Sequence, residues 1–147
     1  MNPLRLLLRT LVSGLFIVAG LLKLRDADLT LIAVYQYQLM SWESAGVLAA
    51  TLPWIEIAGG VGIWISKVRL GGATLCLGLT ALFIVALGSA VARDLDVSCG
   101  CFGTSDLHVT ALKRLGEDIV LLVLCVGLWR SELHRLRAQL QFEADTV

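Results

Sequence analysis

The order of apolar and polar positions divides the chain into four long apolar blocks joined by short polar segments. The first runs from residue 4 to 24 and carries the charges of Arg5, Arg9 and Lys23. The second covers about 45–65, the third 70–92 and the fourth 111–129. Each is close to the ~20 residues that a helix needs to cross a bilayer. The pattern therefore predicts an all-α fold, an antiparallel bundle of four transmembrane helices over residues 1–130. A charged, amphipathic cytoplasmic tail, 131–147, is expected outside the bilayer. Arg5 and Arg9, near one end of the first block, are expected to snorkel to the headgroups. A basic start before an apolar run is also how a signal peptide begins, but no A-x-A cleavage site follows and three more blocks come after it.

Two interruptions matter. Residues 25–43 mix Asp26 and Asp28 with Leu29–Val34, Tyr35, Tyr37 and Trp42. That reads as an amphipathic segment at the membrane interface, where Tyr and Trp prefer to sit; an ordinary loop is the alternative. Inside the second block lie Pro53 and Glu56. Proline is tolerated in a membrane helix when neighbours satisfy the freed carbonyl. An ionisable group in a span is costly and must face the bundle interior. Gly59, Gly60 and Gly62, then Gly71, Gly72, Gly78 and Gly88, supply the small residues that let membrane helices approach closely.

Composition agrees with the blocks. Apolar residues make up 57% of the 147 and charged residues 16%, with a mean hydropathy of +0.81. Soluble domains carry about 25% charged residues. A net charge of zero gives no reason to expect a nucleic-acid partner. The distribution of the cations is more informative. Arg5, Arg9, Lys67, Arg69, Arg130, Arg135 and Arg137 fall on one side of the expected bundle; Lys23, Arg25, Arg93, Lys113 and Arg114 fall on the other. The positive-inside rule then puts both termini in the cytoplasm. The segment between the third and fourth spans is then expected to face outward; at the inner membrane of a bacterium that side is the oxidising periplasm, where disulfides persist.

That segment holds the chain's most suggestive chemistry, Asp96-Val-Ser-Cys99-Gly-Cys101-Phe-Gly103. Two thiols one residue apart suit reversible disulfide exchange, soft-metal capture, or nothing beyond a turn. A Cys-x-Cys disulfide closes a very small ring away from relaxed geometry, and strained disulfides are the oxidising, labile ones. Thiolates select Cu(I), but no Met cluster or His pair accompanies these two. Asp94, Asp96 and Asp106 would raise a nearby thiol pKa, and Arg93, Lys113 and Arg114 would lower it. His108 reads as a solvated loop residue rather than a base.

Further in, Lys23, Glu56, Arg114 and Asp118 are expected at one depth, as a charged cluster beneath the cysteine segment. Arg114 and Asp118, at i and i+4, share a helix face. Such a cluster could bind a partner's group, relay protons or bias a thiol. Equally, Lys23–Glu56 and Arg114–Asp118 could neutralise one another and set helix register. Cys76 and Cys125 are candidates for a second thiol pair, against the commoner reading of buried cysteine as a small inert hydrophobe. No nucleotide site, P-loop, zinc site or serine triad is legible.

Three stretches carry a family likeness: Gly14-Leu-Phe with Ala19-Gly-Leu-Leu-Lys23, Pro53-Trp-Ile-Glu56 with Gly60, and Cys99-Gly-Cys-Phe-Gly103. Over roughly Leu4 to Trp129 the chain resembles the MauE/DoxX-like family of small four-helix bacterial membrane proteins, MauE more than DoxX. The resemblance implies a redox-associated membrane protein serving maturation of a secreted redox protein of the methylamine-dehydrogenase type. It also implies a periplasmic thioredoxin-like partner and a disulfide-containing client. The function expected on both grounds is thiol–disulfide exchange through Cys99 and Cys101, as an oxidoreductase component. A quinone is the candidate electron sink, without a recognisable quinone site. The rival reading is a non-catalytic assembly factor or anchor for the thioredoxin-like partner. A transporter is disfavoured by the lack of paired broken helices.

Overall fold

The computed structural model describes residues 3–93 and 111–145, and every regular element among them is a helix. Helix α1 spans Pro3–Arg25, α2 Ala27–Gln36, α3 Trp42–Gly62, α4 Arg69–Val91 and α5 Ala111–Asp145. Pro3 opens α1, where its missing N–H has no intrahelical acceptor to lose. Ser41 caps α3, its hydroxyl accepting from the Ser44 N–H at 3.5 Å. That polar cap starts the helix three residues ahead of the apolar run that marked it in the sequence. At the far end of α3, the Ser13 hydroxyl donates to the Gly60 carbonyl (2.8 Å) and Arg69 Nε donates to the Ile63 carbonyl (3.1 Å). These side chains satisfy carbonyls that a helix end leaves without partners.

Helices α1, α3, α4 and α5 alternate in direction, with α1 against α3, α3 against α4, and α4 and α1 against α5. Among the described residues, three helices are long and apolar enough to cross a membrane: Arg5–Arg25, Trp42–Gly62 and Arg69–Val91. Val18, Val47, Trp54, Val85 and Val123 stand exposed on the outside. Large outward apolar surface on long apolar helices is the signature of lipid contact, and the fold is a helical membrane bundle. Helix α5 differs: its apolar stretch 119–129 lies between Glu117 and Asp118 on one side and Arg130 on the other. The expected interfacial segment is largely α2, which buries Thr30 and Ala33 and leaves Leu29, Ile32 and Tyr35 exposed.

The core is thin and depends on close backbone approach. A Cβ on Gly72 would lie 2.7 Å from the Gly62 carbonyl carbon, and one on Gly60 would lie 3.0 Å from the Ser13 carbonyl oxygen. Only glycine permits those crossings. Val12, Phe16, Ile63, Ala73, Cys76, Cys125 and Leu128 fill the space between the helices.

One expectation needs correction. Arg9 does not snorkel: it is 6% exposed, and its Nε and Nη2 both donate to Glu132 Oε1. A carboxylate faces it across the α1–α5 contact, and the pairing holds the guanidinium inside the bundle. Beyond residue 130, α5 continues unbroken to Asp145, and Glu132 near the start of that stretch is buried.

Candidate functional site

The last turn of α1 and the middle of α3 bring Lys23 and Glu56 together. Lys23 is 3% exposed and Glu56 1%, and Lys23 Nζ donates to Glu56 Oε1. The ammonium also sits 4.7 Å from the centre of the Phe83 ring on α4, where the ring face supplies a second, softer counter-charge. Glu56 follows Pro53, whose nitrogen cannot donate to the carbonyl of Ala49. The pair thus joins α1, α3 and α4 at one level.

The second Glu56 oxygen, Oε2, is buried without a hydrogen-bond partner among the described residues. Glu56 borders a small cavity of about 30 Å³, with Phe16, Thr80, Phe83 and Asp118 among its walls. A water needs roughly 10–15 Å³ and a few polar partners. The cavity has room for that, and Glu56 is an acceptor on its wall. Asp118 brings a second carboxyl group from α5 to the same space and is itself buried. Of the four residues expected in a cluster, Lys23, Glu56 and Asp118 are therefore gathered at one site. Arg114 lies in the first turn of α5, and its side chain is outside the described residues.

Thr80 was not anticipated. It borders the cavity, donates to the Cys76 carbonyl at 2.9 Å, and stands 3.8 Å from Cys125 Sγ. Threonine is common in membrane helices and often bonds the carbonyl four residues back, so nothing in the sequence distinguishes it. Cys76 and Cys125 are both buried, both free thiols, and both belong to the core cluster. With 0% and 1% exposure they are packed as small apolar groups.

Cys99, Cys101 and His108 lie outside the described residues, as do Asp94, Asp96 and Asp106. The described residues at either side of that segment are Arg93 and Ala111. Both are at the bundle end where Lys23 closes α1. Arg93 is fixed there: its Nη2 donates to the Tyr37 carbonyl at 2.6 Å and its Nη1 to Gln38 at 3.4 Å. Gln38 has a left-handed backbone, φ 50°, an uncommon state for a residue with a side chain. Arg93 thus ties the exit of α4 to the turn between α2 and α3.

The opposite end holds the Arg9–Glu132 pair, with Lys67, Arg69 and Arg135 around it. Arg9 lies near the start of its apolar run, where snorkelling is the ordinary expectation, so no local signal announced a buried partner.

A helical membrane bundle with a buried, incompletely satisfied charged site near one end is the class these features define. The chain belongs to the MauE family: the family model described as "Methylamine utilisation protein MauE" matches residues 1–130. Among curated relatives, a methylamine utilization protein MauE from Paracoccus denitrificans is 30% identical over 122 residues, covering 82% of this chain and 66% of the relative. Its counterpart from Methylophilus methylotrophus is 27% identical over 117 residues, covering 79% and 60%. The matches thus span less than two thirds of either relative's own length. No solved structure matches the chain.

Proposed function

We propose that this chain is a membrane component of periplasmic thiol–disulfide exchange, acting through Cys99 and Cys101. The observation that carries the reading is positional. Residues 93 and 111, which bracket the two cysteines, sit at the same bundle end as the buried Lys23–Glu56 pair and its cavity. The amino-terminal part of α5 is the fourth crossing, both termini are cytoplasmic, and the bracketed segment faces the periplasm of a bacterial inner membrane.

In this reading the Cys99–Cys101 disulfide is attacked by a thiolate of a thioredoxin-like partner. One ring sulfur leaves as thiolate and a mixed disulfide forms. The partner's second thiol then displaces the remaining sulfur, so the partner becomes oxidised and Cys99 and Cys101 become a dithiol. Reoxidation passes two electrons and two protons to an acceptor of the quinone class. Glu56 and Asp118 serve as carboxyl groups that can hold a proton close to that step. The relatives are named for methylamine utilisation; by analogy, the final client here is a disulfide-containing secreted redox protein.

The test is to make Cys99→Ser and Cys101→Ser separately. In one variant the remaining thiolate should attack the disulfide of the oxidised partner and, with no neighbouring thiol to resolve the bond, accumulate a covalent adduct on non-reducing gels; both variants should lose client maturation. Full maturation in both, without an adduct, would overturn the exchange reading in favour of a non-catalytic anchor. A membrane-impermeant maleimide on reduced spheroplasts should label the wild type; labelling only after permeabilisation would refute the orientation.

A further inference from the structure

At the Arg9 end, a pocket of about 110 Å³ opens between the α3–α4 turn and α5. Ser66, Lys67, Arg69, Glu132 and Arg135 supply its polar walls, and Leu70 part of the apolar remainder. Glu132 is the one acidic side chain on the described wall, and Arg9 already engages it. Lys67, Arg69 and Arg135 therefore leave the pocket strongly positive. Arg69 is held at the wall by its Nε bond to the Ile63 carbonyl, and it feels the charges of Arg9, Glu132 and Arg135. A room many times the ~10–15 Å³ of a single water, lined by cations, suits an anion larger than water.

The depth is informative too. The pocket lies level with the ends of the candidate spans, Gly62 and Arg69. Two tryptophans mark the same zone: Trp64 Nε1 donates to Ser13 Oγ at 2.9 Å, and Trp129 Nε1 donates to Thr74 Oγ1 at 3.2 Å. Indoles prefer the headgroup boundary. From the pocket, an apolar groove runs along the outer face of α4, with Leu70 shared by both. Gly71, Leu75, Gly78 and Leu82 line it, and a Cβ on Gly71 or Gly78 would meet nothing within 4 Å.

We propose that this end of the bundle is a binding site for an anionic phospholipid, its phosphate among Lys67, Arg69 and Arg135 and one acyl chain along the α4 groove. Charge complementarity selects the occupant. A phosphodiester matches three cations, whereas a zwitterionic headgroup would bring its own ammonium against them. A free phosphate would use the pocket but not the groove. The inference is independent of the thiol chemistry at the other end.

The experiment uses the full chain in neutral detergent, stripped of lipid, with native mass spectrometry and thermal unfolding as readouts. The probes are phosphatidylglycerol, phosphatidylcholine and inorganic phosphate. Phosphatidylglycerol should be retained and should raise the unfolding temperature; phosphatidylcholine and inorganic phosphate should do neither. The double variant Lys67→Gln/Arg135→Gln should lose about 10–30-fold in phosphatidylglycerol affinity, as expected for two interfacial cations. Arg137→Gln, on the exposed extension of α5, should not. Gly78→Leu, whose Cβ would meet nothing within 4 Å, should weaken retention by filling the groove. Equal retention of both lipids, or an unchanged affinity in the double variant, would overturn the proposal. So would displacement of the lipid by inorganic phosphate, which would make this a simple anion site. A dimer in lipid-free detergent that Gly78→Leu abolishes would instead assign the groove to a second copy of the chain.

Discussion

Each end of the bundle buries an ion pair that joins α1 to another helix, yet the two are built on different terms. At one end a single lysine meets Glu56, whose second oxygen has no hydrogen-bond partner among the described residues, beside a cavity that Asp118 also borders. At the other, two Arg9 nitrogens converge on one Glu132 oxygen, with Lys67, Arg69 and Arg135 nearby. The Arg9 pair is surrounded by substitute cations at interface depth. The Lys23 pair lies deeper in the fold and its cation is held by one carboxylate and one aromatic ring. Burying an ion pair costs desolvation that its own attraction roughly repays. What separates the two is replaceability: spare cations surround the carboxylate at the Arg9 end, whereas at the Lys23 end the spare group is a carboxylate oxygen and the cation has no substitute beside it among the described residues.

The largest expected effect tests that difference directly. Glu56→Leu leaves Lys23 buried without its carboxylate, and should destabilise the protein by about 3–5 kcal/mol. The Lys23→Leu/Glu56→Leu double variant should recover part of the loss, because two apolar groups replace a pair that was close to break-even. Reversible unfolding in mixed micelles measures both. A cost for Glu56→Leu below about 1 kcal/mol would mean that Lys23 finds another anion, Asp118 being the carboxyl group already at the cavity. The contrast between the two ends would then collapse.

Arg9→Gln should cost less, about 1–3 kcal/mol, the value of hydrogen bonds to a charged group rather than of a stranded ion. Glu132 has Arg69 within electrostatic reach and shares a pocket wall with Arg135. The same unfolding assay applies. A loss as large as that of Glu56→Leu would show that the surrounding cations do not substitute.

The sequence made these two ends unequally legible. The long helices were readable because apolar runs of spanning length leave few alternatives. Lys23 and Glu56 were readable as partners because an ionisable group inside a span demands one, and few were on offer. Arg9 and Glu132 are 123 residues apart, and both lie near the ends of apolar runs, where snorkelling is the ordinary expectation. Nothing local says that α5 continues past Trp129 to bring Glu132 back against α1. The helical start at Trp42 was missed for a related reason: a polar cap carries no apolar signal. Cys99 and Cys101 are legible only as chemistry, since their spacing points to thiol exchange without saying what faces them.

The smallest effect concerns how the Arg9 end is stitched together. Ser13 Oγ accepts from the Trp64 indole and donates to the Gly60 carbonyl. Trp64 is half exposed, so an indole that loses Ser13 can turn to water or a headgroup. The Gly60 carbonyl is enclosed by the α1–α3 contact and has no such recourse. Trp64→Phe should therefore cost about 0.5–1.5 kcal/mol, one net hydrogen bond. Ser13→Ala, which strips a buried carbonyl of its side-chain donor, should cost more, about 1–3 kcal/mol. In the double variant the two losses should fall short of their sum, because removal of Ser13 has already broken the indole bond. Strict additivity would mean that the indole contributes through its membrane-interface contacts instead. The Arg9 end would then owe part of its stability to lipid rather than to bonds within the bundle.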